Sequence, residues 1–507
     1  MMSDSEKSYR RILKSSSIIG GASVVNIAMG MIRTKVLAIL LGPTGVGLVG
    51  LLTAVMSTAI AVASMGIGVS GARKIAEANS SENHMELALA RKTIFWSALF
   101  LATVGGLVIW FLADVLAIFV LGDSKYSWEI SWLALGVAFS VGSASQGAML
   151  QGMRRVGDIA KVSVYSSTLN ALIGSTLLWF YRNDGLVAFI VLAPLLNFIL
   201  GHLFVARLPR YRQYKIKLID LYVEHKALMK LGFAFMAAGL INTLVQLWIR
   251  VEVERGLGVE ALGYYQAAWM ISMQYVGFVL AAMVADYYPR LSGVITNKST
   301  ATKVVNEQTE VALLLSAPIF IAMMGLAPWA ISILYSSTFM PAVDVLRWQI
   351  LGDVLKVASW PLGFVLLAAG DGKSFFWTEA LVLSLMGGLV AGFVEVGGLN
   401  ITGIAFLACY VFYLPLVYFL AKRRIDFRWT GTVIRLVVVT FVLCASVALL
   451  CQYTNWGIVV SLVVSTIFGV YSLGRIAHVS NMGGPVGKIG SIARAITNKM
   501  GLRSERL

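Results

Sequence analysis

Apolar residues run along this chain in blocks of 18 or more, separated by short stretches where charges, glycine and proline gather. Each block is long enough to cross roughly 30 Å of hydrocarbon as a helix, the local structure that satisfies its own backbone hydrogen bonds there. Breaks at Gly, Pro and charge divide the pattern into fourteen predicted spans. Spans one and two cover 15–41 and 44–71, spans seven and eight 227–250 and 260–288, and span ten 342–369. The last two cover 431–452 and 455–474. The first 14 residues are polar and basic, and the apolar stretch after them is too long for a removable signal peptide, so a first span is expected.

The glycines that punctuate this pattern recur. LGPTGVGL follows span one with Gly42 and Gly47, and LGVEALGY follows span seven with Gly258 and Gly263, each pair 216 residues apart. Lys74 and Arg290, closing spans two and eight, keep the same offset, and Gly152 and Gly370 nearly do. Ordered matches at near-constant spacing predict two six-helix halves. Six is even, so both halves enter from one side and are related by a pseudo-twofold axis along the membrane normal. The predicted organisation is a six-helix lobe over 1–206, a cytoplasmic linker over 207–226, a second lobe over 227–422 and two further helices over 423–476. A basic amphipathic tail over 477–507 follows, with Val486, Ile489, Ile492, Ile496 and Met500 at helical spacing.

Charge orients the map. Of the 41 lysines and arginines, the odd-numbered connections hold Lys125, Arg182, Arg250 and Arg255. Arg33, Lys35, Arg347, Lys356 and Arg435 fall inside spans, and the rest flank the even-numbered connections or sit in the tails. Cytoplasmic loops are the basic ones, so both termini are expected in the cytoplasm. The net charge of +16 then follows from topology and anionic headgroups, and no nucleic-acid partner is needed. With 58% hydrophobic and 13% charged residues, a soluble domain of any class is excluded. Cys409, Cys444 and Cys451 lack metal-ligand spacing and the four histidines are scattered, so neither metal nor catalytic residues are expected. GIGVSG (66–71) fits a dinucleotide fingerprint but has no preceding strand, and reads as a small-residue packing face.

A charge at mid-bilayer costs about 2.5–3.5 kcal/mol, so each one must face protein or water. Asp353 and Lys356 lie three residues apart on one face of span ten, where they can neutralise each other; Glu379 enters span eleven, which covers 374–396. Arg33, Lys35, Arg250 and Arg347 add cations from both halves, which would make a cleft between them attractive to an anion. Trp269, Tyr275, Trp348 and Trp360 could stack on sugar faces, although an interfacial belt is the commoner use of such rings.

MIRTKVLAILLGPTGVGLVGL (31–51) and VLRWQILGDVLKVASWPLG (345–363) resemble the Wzx-type O-antigen flippases of the polysaccharide transporter family, among them the flippases of enterobacterial common antigen. The superfamily also holds multidrug and toxin extrusion transporters and lipid II flippases. The resemblance implies two lobes moving undecaprenyl-pyrophosphate-linked oligosaccharide between leaflets of a bacterial inner membrane by alternating access, with no enzymatic step. It implies substrate-binding roles for Lys35, Arg250 and Lys356 and coupling or ion-pair roles for Asp353 and Glu379; Arg33 and Arg347, as cations embedded in spans, join the candidate substrate-binding set. The partners implied are lipid-linked oligosaccharide, membrane lipids, and a polysaccharide polymerase and chain-length regulator. No cofactor is implied beyond coupling to H+ or Na+. Gly352 and Pro361 are the expected flex points of span ten. The alternative on the same fold is a cation-coupled multidrug exporter.

Overall fold

The computed structural model describes residues 4–81, 83–209, 217–454 and 456–480, and every regular element among them is helical. In chain order the α-helices are α1 (Asp4–Ala63), α2 (Ile67–Ser80), α3 (His84–Phe111), α4 (Ala113–Leu121), α5 (Ser127–Gly152), α6 (Val156–Tyr181) and α7 (Leu186–Val205). There follow α8 (Leu218–Val294), α9 (Lys298–Leu334), α10 (Ala342–Ala368), α11 (Gly372–Gly397), α12 (Asn400–Ile425), α13 (Gly431–Tyr453) and α14 (Gly457–Ser480). Among the described residues ten segments are long and apolar enough to cross a membrane, and eleven if the pair Ile219–Ala237 and Gly239–Gly277, bent by 42°, counts as one. The chain is an integral membrane protein. The expected amphipathic pattern of 486–503 and residues 210–216 of the linker lie outside the described residues.

The repeated glycines have a structural reason. Gly42 (φ 63°) interrupts α1 and Gly258 (φ 85°) interrupts α8, each in the left-handed region that a side chain disfavours. Five residues further on, Gly47 and Gly263 allow two backbones to touch: a Cβ on Gly263 would collide with the Pro43 carbonyl, and one on Gly47 with that of Val259. The two motifs therefore pack on each other.

The chain divides into two compact units. The first ends at Gly263 and also holds Leu334–Ser336; the second is Tyr264–Ile333 and resumes at Ser337. In the first, α3, α2 and α7 pack on α5, and α1 packs on α6, around a core that includes Ile67, Ile94, Val141 and Phe204. Gly71 of GIGVSG lies against Ala148 and Ile94, so that stretch is a close-packing face.

In the second unit α10 is the axis. It packs on α12, α13 and α11, and 83% of its most apolar window is buried, against 28% for α11. Hydrogen bonds from Ser374, through its side chain and its backbone N–H at 3.2 Å, cap α11 on Asp371 and hold that carboxyl below the ordinary carboxylate range. The last helix is tied to α9: Arg475 pairs with Glu310 at 2.9 Å, and Ser465 Oγ donates to the Pro318 carbonyl at 2.7 Å.

Candidate functional site

Gln349, Asp353, Lys356 and Trp360 fall at i, i+4, i+7 and i+11 along α10 and so share one stripe. Asp353 is fully buried and Gln349 equally so, while Lys356 is 8% exposed. A carboxylate so placed needs donors. Two hydroxyls of α8 supply them: Ser272 Oγ and Tyr275 Oη donate to Asp353 Oδ2 at 2.7 and 2.8 Å. The other oxygen, Oδ1, is buried without a hydrogen-bond partner, as are both amide atoms of Gln349 one turn away. Orphaned buried polar groups cost about 1–3 kcal/mol each, and three of them lie on adjacent turns here.

The Lys356 ammonium turns toward α12, whose Phe406, Tyr410 and Tyr413 are spaced i, i+4 and i+7 and form an aromatic ridge. It lies 5.5 Å from the Phe406 ring centre and 5.8 Å from that of Tyr410, and contacts Met273 Sδ at 3.5 Å. A desolvated cation over such faces gains about 2 kcal/mol. The ridge continues from Tyr410 to Tyr413 at 5.9 Å, and Tyr413 Oη donates to Glu379 Oε1 at 2.5 Å. Side chains of α8, α10, α11 and α12 thus form one connected polar and aromatic network.

The expected contact ion pair between Asp353 and Lys356 is not formed. Sharing a helical face brings them near, but the carboxylate is turned to the α8 hydroxyls and the ammonium to the α12 rings. Gly352 has a packing role in this structure. A Cβ there would stand 2.5 Å from the Phe406 ring, so glycine is required for α12 to approach.

Of the four aromatic candidates, Tyr275 joins the network directly and Trp269 through an edge contact with Phe406 at 5.8 Å. Trp360 instead packs on Phe364 at 5.9 Å, and Trp348 lies over Gly403 of α12. Arg347 stands apart, reaching Asp344 at 3.4 Å and the Met324 carbonyl.

The first unit's cations take separate partners. Arg33 stacks on Phe189 at 4.6 Å, Lys35 Nζ donates to the Tyr335 carbonyl at 2.5 Å, and buried Arg250 donates to the Gln246 carbonyl and side chain at 2.7 and 2.9 Å. Sequence reasoning missed Gln349, Ser272, Tyr410 and Tyr413. Gln349 was the accessible one, since it precedes Asp353 by one turn on the same face.

Solved structures of two kinds share this fold. A lipid II flippase in an inward-closed conformation matches with a TM-score of 0.68 at 13% identity, over 90% of this chain and 98% of that one. An inward-facing multidrug resistance transporter matches with a TM-score of 0.66 at 16% identity, over 79% and 94%. Among curated proteins, the Lipid III flippase of Escherichia coli K12 is 24% identical over 431 residues, covering 82% of this chain and 99% of that protein. The teichuronic acid biosynthesis protein TuaB of Bacillus subtilis is 24% identical over about half of each chain. The family described as "Polysaccharide biosynthesis protein" matches residues 12–294, more than half of the sequence. The chain, with its helical membrane fold and its buried charged network, belongs to that polysaccharide biosynthesis family.

Proposed function

We propose that the chain is a flippase that carries undecaprenyl-pyrophosphate-linked oligosaccharide from the inner to the outer leaflet of a bacterial inner membrane. The observation that carries this reading is the alignment with a lipid III flippase over 99% of that protein's length. The reading is of a transporter and not of an enzyme, in keeping with the names of the relatives.

Fourteen crossings fit the lengths of the apolar segments, and an even number leaves both termini on one side, which the charge pattern makes the cytoplasmic one. Gly20–Ala63, Val156–Val205 and the bent pair are each double length. At 1.5 Å per residue the first two reach about 66 and 75 Å, twice a hydrocarbon core of about 30 Å. Eleven segments with three doubled give fourteen.

In this reading Lys356 meets the pyrophosphate once the Phe406 and Tyr410 rings move aside, while Lys35 and Arg250 serve from the first unit. Coupling to H+ or Na+ falls to Asp353 and Glu379, the carboxylates of the network. Two negative charges moving outward across an inside-negative potential of 100 mV gain about 4.6 kcal/mol, so export is electrically downhill.

The test is a deletion strain. Undecaprenyl-linked sugar units should accumulate on its inner leaflet, wild-type protein should clear them, and Lys356→Ala or Asp353→Asn at equal protein levels should not. No accumulation, together with new sensitivity to lipophilic cations, would select the multidrug exporter instead.

A further inference from the structure

A cavity of about 920 Å³ lies within the first unit. It is at the upper end of the roughly 300–1,000 Å³ of small-molecule sites. Leu48 and Leu52 of α1 and Leu135 and Phe139 of α5 form its apolar depth. Its rim comes from two turns far apart in sequence. Tyr126, Trp128, Glu129 and Trp132 stand at the start of α5, and Asn183 and Asp184 in the turn before α7.

Three features of this rim belong together. Trp128 and Trp132, 65% and 39% exposed, meet edge to face at 5.6 Å and offer open ring surface. Glu129 Oε2 is buried beside them without a hydrogen-bond partner. Asn183 and Asp184 are exposed on the opposite turn. Flat rings next to carboxylate and amide acceptors match a pyranose, which has apolar C–H faces and a rim of hydroxyl donors. An interfacial aromatic belt explains the tryptophans alone but neither the concavity nor the orphaned carboxylate.

The charge is selective. Lys125 is engaged by Asp123 at 2.9 Å, and Arg182 reaches the Leu40 carbonyl and stacks on Trp179. Glu129 and Asp184 both line the cavity and neither is in an ion pair among the described residues, so an acidic sugar would be repelled.

We propose that this cavity is a saccharide-binding site for neutral or amino-substituted sugars, which stack on Trp128 and Trp132 and donate hydroxyl protons to Glu129, Asn183 and Asp184. It is built from the segments following the first, third and fifth connections, the lysine- and arginine-poor side of the chain. On the transport reading it holds the glycan after crossing, and only that assignment rests on the reading.

The test uses the full chain in lipid nanodiscs free of glycoside detergent, with diacetylchitobiose, chitobiose and digalacturonate as probes. Tryptophan fluorescence and saturation-transfer NMR should report binding of the first two with a Kd of about 1 mM and digalacturonate at least ~10-fold weaker. Trp128→Ala and Glu129→Gln should each weaken binding about 10-fold at unchanged melting temperature. Asp184→Asn, on an exposed turn, tests the same point if Trp128→Ala fails to fold. Absence of saccharide binding, equal binding by the variants, or digalacturonate binding as tightly as diacetylchitobiose would overturn the proposal. Lipid-linked oligosaccharide translocation is scored separately, so saccharide binding without translocation would sink the transport reading and leave the site standing.

Discussion

Both units carry charge inside apolar helices, yet they satisfy it in opposite ways. In the first unit Arg33 stacks on the Phe189 ring, Lys35 donates to the Tyr335 carbonyl far along the chain and Arg250 donates to the preceding helical turn, contacts on three different neighbours. In the second, Asp353, Lys356 and Glu379 share a network in which α12 aromatics and α8 hydroxyls link four helices. A charge met locally can be removed with little consequence for its neighbours. A charge met by a network leaves several buried groups unpaired when it goes, so structural and functional effects are coupled there and separable in the first unit.

The sharpest attempt to break that comparison is Asp353→Ala. It removes the acceptor of both Ser272 and Tyr275 and leaves their hydroxyls in the interior, at about 1–3 kcal/mol for each orphan. The expected outcome is a clear drop in melting temperature in micelles together with loss of transport. Asp353→Asn keeps an acceptor for the hydroxyls, so it should melt near the wild type and still fail to transport. If the alanine variant melts like the wild type, the network is not a unit.

Gly352→Ala comes next in size. The added methyl would meet the Phe406 ring at 2.5 Å, and that ring is one of the two faces under Lys356. Overpacking of this kind costs about 1–3 kcal/mol. The matching check is Phe406→Leu in the same background: relief of the clash should recover melting temperature without recovering transport, because the cation's aromatic face is gone. Recovery of both would show that the ring acts only as packing.

How far the sequence carries this picture depends on whether a property is local. Helical apolar segments, the Gly42 and Gly258 interruptions and the cost of Asp353 and Lys356 in α10 are all written in residues a few positions apart, and periodicity exposes them. The partners of those charges are not. Ser272 lies 81 residues from Asp353, and Tyr410 lies 54 from Lys356; which of them faces α10 is decided by helix packing. The supposed Asp353–Lys356 pair shows the limit directly, since i, i+3 spacing permits an ion pair but cannot say that hydroxyls from another helix will claim the carboxylate first. The rim of the saccharide cavity is a similar case: Glu129 and Asp184 are ordinary helix-end acids until folding brings both to the lining of one cavity.

The smallest structural effect is expected at Lys35, and it is the one that sharpens the comparison most. Its ammonium reaches the carbonyl of buried Tyr335 from the end of a long stem, whereas Asp353 is the acceptor of two buried hydroxyls. Lys35→Ala should cost less stability than Asp353→Ala, about 0.5–1.5 kcal/mol for a lost hydrogen bond, and expression should match the wild type. Transport should nevertheless fall, because a phosphate-bearing headgroup loses a charge-assisted contact, and Lys35→Arg should restore much of it by returning the cation. A melting temperature as low as that of Asp353→Ala would place Lys35 in a network of its own and erase the distinction between the two units. Full transport by the alanine variant would instead leave the first unit's cations as anchors of the helix in the bilayer.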